Sequence, residues 1–126
     1  MDNSTLKNEF LVESFENLSS IHEDLTTIER EPENKELLNQ IYRSIHTMKG
    51  SACFLGFKKL QDITHVAEYL LDEIREGKFP INTVIIDALL DTFDICQSIL
   101  KSIEDNDTEG EVDTQSNIKI LEKLTE

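Results

Sequence analysis

The sequence predicts an all-α protein: an antiparallel, up-and-down four-helix bundle with a short extra helix at its C-terminus. Three observations carry that expectation. Apolar residues recur mostly at spacings of three and four through four long segments, the period of one helical face. Turn formers are scarce, with only 4 Gly and 2 Pro in 126 residues, which disfavours a turn-rich β-sandwich. The connections between the four segments are short, so consecutive helices should pack side by side and antiparallel.

The first helix is expected from Ser4 to about Glu29, with Leu6, Phe10, Phe15, Leu18, Ile21, Leu25 and Ile28 as its apolar stripe. Pro32 ends it. The run Glu31-Pro32-Glu33-Asn34 suits the start of a new helix, where Pro costs little and Glu complements the dipole. The second helix should run from about Asn34 to Phe54, turning Leu37, Ile41, Ile45, Met48, Ala52 and Leu55 inward. Gly56-Phe57 interrupts the pattern, after which Leu60, Ile63, Ala67, Leu70, Leu71 and Ile74 define a third helix. Gly77 is placed to stop it in a left-handed conformation, and Pro80 prevents continuation. Asn82 can cap a fourth helix that buries Ile86, Leu89, Phe93, Cys96, Leu100 and Ile103. Residues 1–104 thus form the bundle domain, 105–116 read as an acidic linker, and 117–126 as the short extra helix, using Ile118, Leu121 and Leu124.

Charge narrows the range of partners. Twelve Lys plus Arg stand against 26 Asp plus Glu, a formal charge of −14 that repels phosphate backbones and anionic membranes, so neither nucleic acid nor membrane is an expected partner. No uninterrupted apolar stretch approaches the roughly 18 residues of a membrane span, and the N-terminus has neither a basic segment nor an apolar signal core. A soluble, cytoplasmic protein is expected. Cys53 and Cys96 are too far apart in sequence for a CxxC pair or a zinc cluster and read as reduced thiols.

The chemistry concentrates on the second and third helices. His46 falls outside the apolar sector of its helix, with Tyr42, Lys49, Gly50 and Cys53 as neighbours at spacings of three, four or seven. Gly50 is costly inside a helix, by about 1 kcal/mol relative to Ala; by itself it fits either a close approach of a neighbouring helix or space left beside the imidazole for a bulky visitor. On the third helix His65, Glu68 and Asp72 form a polar stripe, with Glu68 bordering the core and His65 pointing further out. His46 lies ten residues before Gly56 and Glu68 twelve after it. At the rise of a helix these heights differ by only about 3 Å in an antiparallel pair, so the carboxylate can meet the imidazole and fix its tautomer. His46, His65 and Glu68 could instead ligate a metal, but the paired Glu-x-x-His motifs of di-iron bundles are missing, and no metal is expected.

The run His46-Thr47-Met48-Lys49-Gly50-Ser51, followed by Leu55-Gly56-Phe57, resembles the HxxKG core of histidine phosphotransfer (HPt) domains. The likeness extends through Thr64-His65, Leu70-Leu71-Asp72-Glu73, Gly77 and Asn82-Thr83, and is greatest to the N-terminal phosphotransfer domains of CheA-type chemotaxis histidine kinases. The resemblance implies that His46 is the phospho-acceptor, that Lys49 assists the phosphoryl group and that Gly50 provides clearance. It also implies that Glu68 hydrogen-bonds the acceptor ring, with His65 a polar neighbour in the same network. The family often has two glycines after the lysine, whereas Ser51 and Ala52 follow Gly50 here.

This chain offers a nucleophile and a cation but no Gly-rich phosphate loop after a strand, so it should carry phosphate without binding ATP itself. No cofactor is expected in the domain; ATP and Mg would be used by a partner kinase domain. The implied partners are that kinase ATP-binding domain, expected within the same parent protein, a histidine kinase, and response-regulator receiver domains that accept the phosphoryl group on aspartate. A free-standing HPt protein of a multistep relay would share fold and acceptor. A non-catalytic helical interaction module would need no histidine at all.

Overall fold

The computed structural model describes residues 3–126, with side chains from residue 5 onward; residues 1 and 2 of the expected bundle domain lie outside that range. Five helices follow in order: α1 (Asn3–Arg30), α2 (Lys35–Leu55), α3 (Lys58–Arg75), α4 (Thr83–Asn106) and α5 (Gln115–Thr125). The first four pack in a ring, α1 on α2, α2 on α3, α3 on α4 and α4 on α1, while α5 lies against α3 and α4. No described residue forms a strand, and no helix is long and apolar enough to cross a membrane.

Local chemistry sets the helix ends. The Asn34 side chain accepts from the Leu37 N–H and Asn82 from the Ile85 N–H, at 3.0 and 2.9 Å, so both asparagines cap helices. Pro32 and Glu33 form a turn, closed by the Asn34 N–H on the Glu31 carbonyl, and do not enter the first turn of α2. Gly56 and Gly77, at φ 80° and 82°, take left-handed conformations at the ends of α2 and α3. Beyond each, an N–H reaches back five residues, Phe57 to Ala52 and Lys78 to Glu73, closing the Schellman pattern. The tight Gly56 turn is what makes α2 and α3 antiparallel neighbours.

Leu25, Ile28, Ile41, Ile45, Met48, Leu60, Ile63, Leu70, Leu71, Leu89 and Ile99 fill the centre of the bundle and are inaccessible to solvent or nearly so. Five of the seven residues expected in the α1 stripe, Phe10, Leu18, Ile21, Leu25 and Ile28, are buried, and the departure is confined to its N-terminal half. Leu11 and Ser14 are buried, whereas Leu6 and Phe15 lie at the rim, Phe15 lining the groove between α1 and α4. Leu55, expected inside, is also only partly covered, because the chain leaves the helix there. Phe10 stacks on Phe57 at 5.4 Å between ring centres and ties α1 to the α2–α3 turn.

The 105–116 segment departs furthest from its expected role. Its first residues extend α4 to Asn106, and the rest is a short connection fastened to the bundle. Glu109 accepts the Lys59 and Leu60 N–H groups at 3.2 and 2.7 Å, capping the N-terminus of α3 across the chain, and the Lys59 ammonium donates to the Val112 carbonyl. An acid in an otherwise solvated run is stabilised there by the unpaired amides of a helix start. Helix α5 starts two residues earlier than expected, where Asp113 accepts from the Ser116 N–H and hydroxyl. It buries Ile118 and Leu121, and Asn117 accepts a 2.8 Å hydrogen bond from Thr92 of α4.

Candidate functional site

Tyr42, His46 and Lys49 succeed one another at spacings of four and three, so they form one strip along α2 beside the buried line of Ile41, Ile45 and Met48. Glu68 faces that strip from α3. Its carboxylate collects three groups. His46 Nδ1 lies 3.0 Å from Oε1, the Tyr42 hydroxyl 3.3 Å from the same oxygen, and Lys49 Nζ 2.9 Å from Oε2. The height match predicted from Gly56 is therefore realised as a direct contact.

Burial sets the electrostatics. The Glu68 side chain is only 12% exposed and that of Lys49 24%, whereas that of His46 is 61% exposed. Desolvation opposes the charged form of Glu68, but the hydrogen bonds and charges of Lys49 and His46 outweigh it and hold the carboxyl below its ordinary pKa. An ionised carboxylate can only accept, so the proton of a neutral His46 ring sits on Nδ1 and the lone pair on Nε2. The ring presents that nitrogen from the exposed side of α2.

Gly50, one turn beyond His46, faces open space: a Cβ built there would meet nothing within 4 Å. No neighbouring helix packs against the glycine, so close helix packing does not explain it. Cys53 is also exposed on α2, while Cys96 is buried in α4 and its thiol is pushed up to about 12 by desolvation. Both cysteines are free.

His65 does not join this group. Among the described residues no hydrogen bond or ion pair links it to Glu68 or His46; it is exposed and lines a shallow depression with Val66, Tyr69, Glu122 and Thr125. The reason is rotational: three residues on a helix turn the side chain by about 60°, enough to direct it away from α2 and toward α5. Tyr42 takes the place in the network that His65 was expected to hold. The only sequence signal for it was an aromatic residue with a polar tip one turn before the imidazole. Among the described residues, no three His, Cys, Asp or Glu side chains gather as a metal site.

The family model of the Hpt domain matches residues 5–110, which include every residue of the His46 group. The chain is 34% identical over 128 residues to the sensor histidine kinase CheAY of Helicobacter pylori, covering 98% of this chain and 16% of that protein. It is 38% identical over 107 residues to the chemotaxis protein CheA of Salmonella typhimurium, covering 85% of this chain and 16% of the relative. The chain thus spans about a sixth of these relatives. The solution structure of the histidine phosphotransfer domain of CheA superposes with a TM-score of 0.86 at 26% identity, over 98% of this chain and 92% of that one. The phosphorylated P1 domain of CheA3 in complex with CheY6 from R. sphaeroides shares the fold, with a TM-score of 0.87 at 18% identity over 96% and 95% of the two chains. With the matched fold, the HxxKG run and the imidazole–carboxylate contact all on the same two helices, this chain belongs to the Hpt domain family.

Proposed function

We propose that His46 accepts a phosphoryl group from ATP, delivered by a kinase domain, and passes it to an aspartate of a response-regulator receiver domain. One observation carries the assignment: His46 is exposed on α2, hydrogen-bonded through Nδ1 to a buried, ionised Glu68, so that Nε2 is the nitrogen offered to solvent. In the first step the Nε2 lone pair forms a bond to the γ-phosphorus while the electron pair of the breaking P–O bond leaves with ADP. The ring gains positive charge as the N–P bond forms, and Glu68, 3.0 Å from Nδ1, offsets it. In the second step an aspartate oxygen attacks phosphorus, and the N–P electron pair returns to Nε2. Lys49, now paired with Glu68, is close enough along the helix to turn its ammonium toward the incoming phosphoryl oxygens.

The family assignment and the CheA relatives support a place within a cytoplasmic chemotaxis kinase, with ATP and Mg handled by that protein's kinase domain and none held by this one. Helix α5 and the Glu109 cap make the 105–116 segment part of the folded unit, so a flexible tether to a kinase domain would have to lie elsewhere. The charge of −14 favours a receiver with a basic rim, and association should weaken as salt is added.

Incubation with a CheA-type kinase core and labelled ATP tests the assignment. One acid-labile, alkali-stable phosphate per chain is expected, absent in His46→Gln, and chased onto a receiver domain. Label that survives His46→Gln overturns the assignment and makes a hydroxyl such as Ser51 the acceptor.

A further inference from the structure

Tyr42 has no part in the two transfer steps, yet it is held by three neighbours, Glu68, His46 and Arg75. Its hydroxyl shares Glu68 Oε1 with His46 Nδ1, and its ring runs parallel to the imidazole, 9° between planes and 6.0 Å between centres. The Arg75 guanidinium lies 3.9 Å from the centre of the Tyr42 ring and is itself anchored to Asp72 at 2.7 Å. Burial, then the charges of Glu68 and Asp72, raise the phenol pKa, so the hydroxyl keeps its proton and donates. At 3.3 Å this hydrogen bond is long for O–H to O, and its consequence is orientation more than strength.

The carboxylate needs such an orienting contact. The terminal torsion of a glutamate is broad, and a single lysine on Oε2 would let the group turn with the lysine. A free imidazole in water favours the proton on Nε2, the tautomer with no lone pair there to attack phosphorus. Only a lasting acceptor at Nδ1 reverses that preference. Resting on the phosphotransfer reading, we propose that Tyr42 is a positioning residue: its hydroxyl, with Lys49 on the other oxygen, holds Glu68 in the orientation that keeps the His46 proton on Nδ1 and the reactive lone pair on Nε2.

Tyr42→Phe removes the hydroxyl while keeping the ring and its contact with Arg75. With histidine labelled by nitrogen-15, long-range proton–nitrogen spectra at a pH where the imidazole is neutral report the His46 tautomer directly. The parent should be mainly Nδ1–H, and Tyr42→Phe should move the ring nitrogen shifts toward the Nε2–H form. The kcat for phosphorylation by a kinase core should fall about fivefold, with KM and thermal midpoint unchanged, the scale of one orienting hydrogen bond. A residue with a merely structural role would move the thermal midpoint and leave the nitrogen shifts alone. Unchanged nitrogen shifts and kcat in Tyr42→Phe overturn the inference. Failure of His46 to become labelled in the parent overturns the phosphotransfer reading instead, and the nitrogen shifts still decide whether Tyr42 controls the tautomer.

Discussion

Helix α3 carries two nearly buried glutamates, each set against a lysine and a tyrosine, and only one of them faces an imidazole. Glu68 meets Lys49, Tyr42 and His46; Glu73, five residues on, meets Lys78 at 2.6 Å and the hydroxyl of Tyr69. Both carboxyls lie below their ordinary pKa. For Glu68 burial works against ionisation and is outweighed by Lys49 and His46, whereas for Glu73 the hydrogen bonds of Lys78 and Tyr69 dominate. The Lys78 backbone also bonds to the Glu73 carbonyl, so that second constellation clamps the Gly77 turn at the end of α3. A carboxylate, a lysine and a phenol are therefore as suited to closing a helix as to supporting transfer. The imidazole and the open Gly50 beside it make the difference.

Gly50→Gln closes the open side that sets Glu68 apart from Glu73 and should have the largest effect. The helix should tolerate it, gaining about 0.5 kcal/mol from propensity, because no neighbour stands within 4 Å. Both phosphorylation of His46 and transfer to a receiver should fall by about tenfold or more, a loss of roughly 1.4 kcal/mol or more of transition-state stabilisation. Parallel thermal melts and labelling time courses check the pair of outcomes, and transfer at the parental rate would refute the clearance role.

Exchanging the two glutamates one at a time separates their roles. Glu68→Gln should slow phosphorylation, about tenfold, because a neutral amide neither fixes the tautomer nor offsets the ring charge. Glu73→Gln should leave the labelling rate unchanged and lower the thermal midpoint, since it loosens only the α3 stop. Equal labelling rates for the two variants would show that the His46–Glu68 contact does not support the chemistry.

The smallest effect concerns acid. A carboxyl whose pKa is lowered by folding, here from 4.5, adds stability above that value and loses it as pH falls through the folded value. Urea midpoints should therefore decline below about pH 4.5, and less steeply in Glu68→Gln and Glu73→Gln than in the parent. Identical acid limbs in all three chains would mean that these ion pairs persist in the unfolded state or contribute nothing to folding.

Several features are legible in the amino-acid sequence because they depend on spacing along one helix or across one tight turn. Asn82 and Gly77 are capping and stop residues whose chemistry acts within a few positions. The meeting of His46 with Glu68 follows from counting residues on either side of Gly56. Harder to read is Phe15, because its side of α1 faces a groove whose shape belongs to α4. The acidic 105–116 run misleads in the same way, since Glu109 is recognised only by the distant amides of Lys59 and Leu60.

Residue order alone accounts for the four long helices, their succession, the stop at Gly77 and the cap at Asn82, and a fixed rise with a period of about 3.6 residues accounts for the level at which an imidazole and a carboxylate face each other. Which side chains converge on Glu68 is a matter of three-dimensional packing. That choice depends on the rotation of α3 against α2, which buried contacts across the whole bundle set to within a fraction of a turn. The same packing brings Tyr42 and Lys49 onto the two carboxylate oxygens, turns His65 toward α5, and folds an acidic connection back onto the start of α3.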